Sequence, residues 1–321
     1  MFERMLVPLD GSPLAECVLP HVVAMAAPLG AKVTVLHVCE PRDADEAVQP
    51  VNAVAWQLKN VEAEAYVDSV AARLREAGLT VQAQRLEGRA AEQILVYAHR
   101  HGCDLILLSS HGRSGLTGWN VSGVVQQLIS RARVSIMIVR AYRPSAADLT
   151  VQSYSKLMCP LDCSQRAEHI LPAAVALARG HGAQVVLAHA VSRPEMPRRR
   201  PYTEEEIELT DRLAELNRSD AEQCLEDIRA KLLAEGVAAT SHVVFSDNPA
   251  ESLHDWVGEQ QIDLVLMSAH GYTGSTRWPY GRLALNFIVY GSTPLLIAQD
   301  LSAEQIEPTA AEGLAREFVG H

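Results

Sequence analysis

"VPLDGSPLAECVLPHVVAMAAPLGAKVTVLHV", residues 7–38, and "CPLDCSQRAEHILPAAVALARGHGAQVVLAHA", residues 159–190, align without a gap at a shift of 152. Pro8, Leu9, Asp10 and Ser12 recur as Pro160, Leu161, Asp162 and Ser164, and Gly30, Ala31, Val33 and His37 recur as Gly182, Ala183, Val185 and His189. Further along the shift becomes 159, where "DLILLSSHG" falls on "DLVLMSAHG" and Trp119 on Trp278. Identities at two constant shifts mark a tandem duplication, and a repeat of this length is a whole domain rather than a solenoid unit.

Each copy alternates strand-like and helix-like segments. In the first, "RMLVPL", "AKVTVLHV", "LTVQAQRLE", "CDLILLS" and "VSIMIVR" read as strands. Between them, Ser12 is placed to cap a helix with Pro13 in its first turn. "WQLKNVEAEAYVDSVAARLREAG", "AAEQILVYAHRHG" and "NVSGVVQQLISRA" are the later helices. In the second copy Thr203 and Glu206 have the spacing of a capping box that opens a long helix. Strands that are apolar throughout and separated by helices predict a parallel sheet covered on both faces. The boundaries read as 1–142 and 155–300 for the two α/β domains, 143–154 for a polar linker and 301–321 for an acidic tail.

Bulk properties narrow the function classes. The chain has 321 residues, 48% hydrophobic and 21% charged, with a net charge of −11. Residues 1–148 carry −1 and residues 149–321 carry −10. An acidic half with no basic patch argues against nucleic acid or an anionic membrane as a partner. No apolar run reaches the ~18–20 residues of a membrane span, and the opening "MFERMLVPLDGS" does not read as a signal peptide. The six cysteines are scattered without a C-x-x-C, which fits a reducing cytoplasm. Cys159 and Cys163 straddle the Pro-Leu-Asp turn as a redox pair or, more commonly, as a buried hydrophobe and a loop thiol.

Open α/β sheets bind ligands beyond the carboxyl ends of their strands. There the sequence places Pro8, Leu9 and Asp10, then Val38, and then the loop Ser109, His111, Gly112, Arg113 with Ser122, Gly123 and Val124. Copy two supplies Pro160, Leu161, Asp162, Ala190, Ser268, His270, Gly271, Tyr272, Gly281, Arg282 and Leu283. The carboxylates of Asp10 and Asp162 suit an adenine amino group or a ribose hydroxyl. The long segments after the second strands, residues 39–55 and 191–203, are placed as flaps. No nucleophile or metal partner stands at sensible spacing from His111 or His270, so structural roles fit them better; His37 and His189 read as core or rim residues. Trp119 and Trp278 read as packing, and the basic run in "PRRRPYTEEE" as a solvated flap.

"D-G-S" after the first strand, with a G-x-x-G-x9-G-[ST] pattern after the fourth, resembles the universal stress protein family. The resemblance covers residues 3–141 and 155–299 and makes this a tandem-type member. It implies, in each copy, an open five-stranded parallel sheet of order 3-2-1-4-5, Rossmann-like and akin to the adenine-nucleotide α-hydrolases. It also implies pairing of the fifth strands into an intramolecular pseudo-dimer, with a homodimer of chains as the further expectation. In the ATP-binding branch the first glycine lies by the ribose and the second near the phosphates. The final pair receives phosphates at a helix N-terminus.

The pattern is altered here. Copy one reads Ser109, Gly112, then Ser122-Gly123; copy two reads Ser268, Gly271, then Gly281-Arg282. A serine for glycine adds a Cβ, while an arginine for the hydroxyl residue brings a fixed charge. Arg282 either contacts a phosphate or folds inward onto Asp162. Copy two, keeping Gly271 and Gly281, is the favoured site. The expectation is a cytoplasmic stress-adaptation protein that binds ATP, with magnesium, and catalyses at most weak hydrolysis, without catalytic residues, dedicated metal site or redox cofactor. Two alternatives stand: a nucleotide-independent protein-interaction module with closed loops, and a slow ATPase or phosphotransferase. An ATP pyrophosphatase would need S-G-G-x-D-S after the first strand, and "PLDGSP" does not match.

Overall fold

The computed structural model describes residues 2–40, 53–112, 121–141, 149, 152–194, 203–272 and 279–300. Arg113, Trp119, Trp278, the basic run 198–200, most of both flaps and the tail 301–321 lie outside the described residues.

Copy one runs β1 (Arg4–Pro8), a 3-10 turn (Ala15–Val18), α1 (Leu19–Leu29), β2 (Lys32–Cys39), α2 (Ala53–Glu76) and β3 (Val81–Glu87). It continues through α3 (Ala90–Arg100), β4 (Leu105–Ser109), α4 (Gly123–Arg131) and β5 (Ser135–Val139). Copy two repeats this as β6 (Lys156–Pro160), a 3-10 turn (Ala167–Ile170), α5 (Leu171–His181), β7 (Gln184–Val191), α6 (Glu204–Ala234) and β8 (Ala239–Phe245). It closes with α7 (Pro249–Glu259), β9 (Leu264–Ser268), α8 (Arg282–Tyr290) and β10 (Leu295–Ala298).

Each half has strand order 3-2-1-4-5 and is parallel within itself. The two halves are not separate sheets. β5 pairs antiparallel with β10, with Ile138 opposite Leu295 and Ile136 opposite Ile297, so one sheet of ten strands crosses the molecule. β4, β5, β9 and β10 are buried along their whole length, which is why they carry no alternation of polar residues. Two apolar layers cover the sheet, and both run across the two copies. One holds α1, α2, α5 and α6, the other α3, α4, α7 and α8.

Local chemistry sets the helix ends. Thr203 and Glu206 do form the capping box of α6, with Glu206 N–H donating to Thr203 Oγ1 at 3.3 Å and Thr203 N–H to Glu206 Oε2 at 3.0 Å. Gly30 and Gly182 end α1 and α5 in the left-handed conformation. The reading of Ser12 as a helix cap needs correction. Its hydroxyl accepts from Ala15 N–H at 3.1 Å and closes the 3-10 turn, while α1 begins at Leu19 with Pro20 in its first turn. A proline there spends no hydrogen bond, because first-turn N–H groups have no helical partner.

The copies also meet through α1 and α5. Tyr154, in a stretch that reads as polar linker, is fully buried there. Its hydroxyl lies 2.8 Å from His21 Nδ1, and its ring packs edge-on to His181, whose Nε2 is 2.8 Å from the Ala24 carbonyl. Arg140, just past β5, donates to the carbonyls of Phe287 and Ile288 at 2.7 and 3.0 Å and so caps the C-terminal end of α8 across the boundary.

Candidate functional site

At the carboxyl end of β1 the chain follows β2 for one more residue, Leu9 N–H donating to the Leu36 carbonyl at 2.8 Å, and then turns at Asp10. In copy two Leu161 does the same with Ala188, also at 2.8 Å, before Asp162. Leu9 and Leu161 are buried, and the aspartates that follow are half-exposed at Asp10 and exposed at Asp162. Val38 and Ala190 are half-buried near the ends of β2 and β7, beside the same turns.

Asp162 organises the second site. Its Oδ1 accepts from Ser164 N–H at 3.1 Å and from Ser164 Oγ at 2.6 Å, and its Oδ2 accepts from Tyr272 N–H at 2.6 Å. Burial alone raises the carboxyl pKa, but these bonds and the nearby His189 outweigh it, and the group is held below its ordinary value. A carboxylate offers about four acceptor positions, so roughly one is left for a ligand donor. Gly271 lies so close that a Cβ there would collide with the Asp162 carboxylate, and Gly112 stands in the same relation to Asp10. These glycines let the loop after the fourth strand close onto the aspartate of the first.

The two serines that replace the first glycine of the pattern face away from this turn. Ser268 Oγ donates to the Ala167 carbonyl at 3.0 Å, and Ser109 Oγ lies 3.0 Å from the Leu14 carbonyl and 2.6 Å from that of His111. They tie the fourth strand to the 3-10 turn. The histidines are likewise interior. His111 is buried with Nδ1 at 3.0 Å from Ser110 Oγ, and His270 is buried with Nδ1 at 2.8 Å from Asp300 Oδ1. Asp300 also receives Arg166 Nε at 2.6 Å. Against the cost of its burial, these two donors hold the Asp300 carboxyl below its ordinary value.

The copies differ most where a phosphate would lie. Ser122 N–H donates to the Ser110 carbonyl at 2.8 Å and Gly281 N–H to that of Ala269 at 2.7 Å, so both residues stand at the cap of the last helix. In α4 the Ser122 hydroxyl accepts from Val125 N–H at 3.4 Å and occupies one of the free amides. In α8 Gly281 has no side chain to do so, and among the described residues no side chain caps the first-turn amides. Arg282 opens α8 in an exposed position, and among the described residues no ion pair joins it to Asp162. Val124 is exposed and Leu283 half-buried in the same first turns; Tyr272 presents an 83% exposed ring beside Asp162.

Sequence reasoning passed over three residues of this region. Arg166 and Asp300 lie 134 positions apart, and Cys224 pairs with Cys163 in a disulfide across 61 positions. Cys159 is wholly buried, as the commoner reading has it, and burial pushes its thiol pKa up to about 12, whereas Cys163 is a disulfide partner and not a free loop thiol. Only the interruption of the repeat, with a cysteine at the place of Gly11, hinted at the bond. A groove of about 370 Å³ between α5 and α6, lined by Leu171, Val175, Ile228 and Leu232, lies on the helical layer and not at the strand ends. Among the described residues no group of three or more potential ligands is placed to hold a metal, and no helix is long and apolar enough to cross a membrane.

A tandem Rossmann-like α/β protein, with one altered phosphate-type loop per copy at the strand ends, is the class these features define. The sequence pattern of the universal stress protein family matches residues 1–140 and 153–299, and the chain belongs to that family. A universal stress protein of Methanocaldococcus jannaschii is 24% identical over 155 residues, covering 44% of this chain and 96% of the relative. Universal stress protein YxiE of Bacillus subtilis is 26% identical over 155 residues, covering 44% of this chain and 100% of its own length. Among solved structures, a universal stress protein from Archaeoglobus fulgidus superposes with a TM-score of 0.64 at 16% identity, over 93% of this chain and 98% of that one. A Pseudomonas aeruginosa structure of the same description gives 0.64 at 15% identity over 98% of each, which shares the fold across both copies.

Proposed function

We propose that this protein binds an adenine nucleotide at the second copy, in a regulatory stress-adaptation role without metabolic turnover. The observation that carries the reading is the contrast at the last helix: α8 presents uncapped first-turn amides with exposed Arg282 beside them, whereas Ser122 caps α4. Amides and the positive end of the helix dipole favour a phosphate, and a guanidinium adds a bidentate charged contact. Asp162 would take a donor from the ribose or adenine through its remaining acceptor position, with Leu161 and Ala190 forming the apolar floor. Gly271 keeps that aspartate accessible by admitting the loop backbone where a Cβ would displace it. In this reading the bound nucleotide supplies charge and shape.

Copy one supports the other reading of its loop. With α4 capped by its own serine, copy one offers a phosphate one amide fewer and is taken as the structural counterpart. Calorimetric titration of ATP and of AMP, with magnesium, into the intact chain and into Gly271→Val and Gly112→Val variants tests both statements. Gly271→Val is expected to weaken ATP at least about tenfold, the equivalent of roughly 1.4 kcal/mol, and Gly112→Val to leave it unchanged. Absence of heat and of any thermal shift in the intact chain would remove the nucleotide reading and leave the interaction module.

A further inference from the structure

We infer that Cys163 and Cys224 form a reversible redox modification site, oxidised by a peroxide and reduced by a small thiol, whose state sets the order of the Asp162 turn. The disulfide joins the residue directly after Asp162 to the middle of α6. Ser164, directly after the cysteine, supplies two of the three hydrogen bonds received by the Asp162 carboxylate. Whatever holds Cys163 therefore holds the carboxylate.

The duplication provides an internal control. At the position of Cys163 copy one has Gly11, and aligning the helices on β3 and β8 places Tyr66 at the position of Cys224. The Tyr66 ring packs edge-on against His37 as the sulfur pair lies against His189, with Cys163 Sγ 3.8 Å from His189 Nδ1. The same fold forms there without a cross-link, so the bond is not needed to make the domain. It bears on the backbone instead. Gly11 adopts φ +81° and Cys163 φ +62°, a conformation costing a residue with a Cβ roughly 1–2 kcal/mol. Among the described residues Gln261 is the other non-glycine with positive φ. The bond to α6 offsets that cost, and opening it leaves Cys163 to relax.

Access and chemistry suit reversibility. Both sulfur residues are half-buried, within reach of small reagents, as is the unpaired Cys17 of copy one, whereas Cys39, Cys103 and Cys159 are buried. Burial lowers the His189 pKa, so its imidazole is neutral near pH 7 and able to take the Cys163 proton. The Cys163 thiolate then attacks a peroxide oxygen; the O–O bond breaks, and a sulfenic acid and water form as the imidazolium returns its proton. The Cys224 sulfur attacks the Cys163 sulfur, its own proton leaving with the hydroxyl as a second water. Two thiols and one hydrogen peroxide thus give one disulfide and two waters, and two glutathione thiols reverse the oxidation, giving glutathione disulfide. Disulfides in reducing compartments are mostly transient or sensing, and this one sits on a ligand-facing turn.

The test uses the full chain, reduced or treated with hydrogen peroxide, with free thiols alkylated and the digest examined by mass spectrometry. A linked peptide containing Cys163 and Cys224 is expected after peroxide and is expected to disappear under millimolar reduced glutathione. A linked peptide that survives glutathione in the folded chain, or Cys163 and Cys224 thiols that stay free under peroxide, would overturn the site. Hydrogen exchange reads the second half. Residues 161–166 are expected to exchange at least ~10-fold faster when reduced and in Cys224→Ser, with residues 9–14 unchanged. Equal exchange in both states overturns the coupling. Cys163→Gly, which restores the residue of copy one, is expected to fold and to be blind to peroxide. An effect of oxidation on ATP affinity rests on the nucleotide reading. If ATP binds in neither state that reading fails, while the thiol readout stands on its own.

Discussion

His21 shows how one buried side chain ties pH to the joining of the two copies. It stands on α1 with its Nδ1 2.8 Å from the Tyr154 hydroxyl, and burial lowers its pKa from 6.5 to about 4. Its folded-state pKa is below the unfolded value, so the unfolded chain is the better proton binder as the medium acidifies. Stability is therefore full above about pH 6.5 and declines as pH falls toward about 4, by roughly 3 kcal/mol from this group alone. Asp162 and Asp300, also depressed, act in a lower window. Their contribution is present above the unfolded value of 3.8 and is lost as pH drops through their folded values. Thermal melts between pH 7.5 and 4.5 are expected to show a falling Tm for the native chain and a flatter curve for His21→Asn, which keeps a polar partner for the tyrosine. Parallel curves would assign the acid sensitivity to another group.

Helices α1 and α5 meet where the side chains are smallest. A Cβ on Gly180 would run into the Pro28 ring, so this glycine sets how closely the two helices approach. Gly180→Val is expected to cost about 1–3 kcal/mol, the usual penalty for overpacking a tight contact, read as a lower urea midpoint with an unchanged slope. A midpoint equal to the native one would mean that the crossing relaxes freely. The strands were legible because burial on both faces writes an apolar run directly into "DLILLS" and "SIMIV", and the α6 start because a capping box is a local device, whereas the strand order followed only from the family resemblance. Tyr154 was hidden by polar neighbours, since its burial comes from the facing copy. The Cys163–Cys224 pair and the His270–Asp300–Arg166 network join residues distant in sequence, and only the course of α6 over its sheet and of β10 past β9 brings them together. The aspartate turns and loop glycines of the site were visible as repeats, whereas the inward set of Ser109 and Ser268 depends on carbonyls from another element.

The continuous sheet sets which strand edges the whole molecule presents. Its outer edges are β3 and β8, "VQAQRLE" and "ATSHVVF", whose mixed polar residues are largely exposed or half-exposed. Polar edges of this kind resist further pairing. The apolar edges, β5 and β10, are spent on one another, and Ile136, Met137 and Ile138 are completely buried as a result. The intact chain has accordingly satisfied internally the contact that a single-copy protein would have to make with a second molecule. Residues 1–142 expressed alone would bare β5 along with the α1 surface that receives His181. That fragment is expected to form a dimer through antiparallel β5 pairing, and the intact chain to stay a monomer. Light scattering behind a sizing column reads both masses. A Met137→Lys change in the fragment, placing a charge in the middle of the pairing strand, is expected to return it to a monomer or to unfold it, and circular dichroism separates these two results. A native fragment that stays folded and monomeric at micromolar concentration would show that covalent linkage, not the strand edge, holds the copies together.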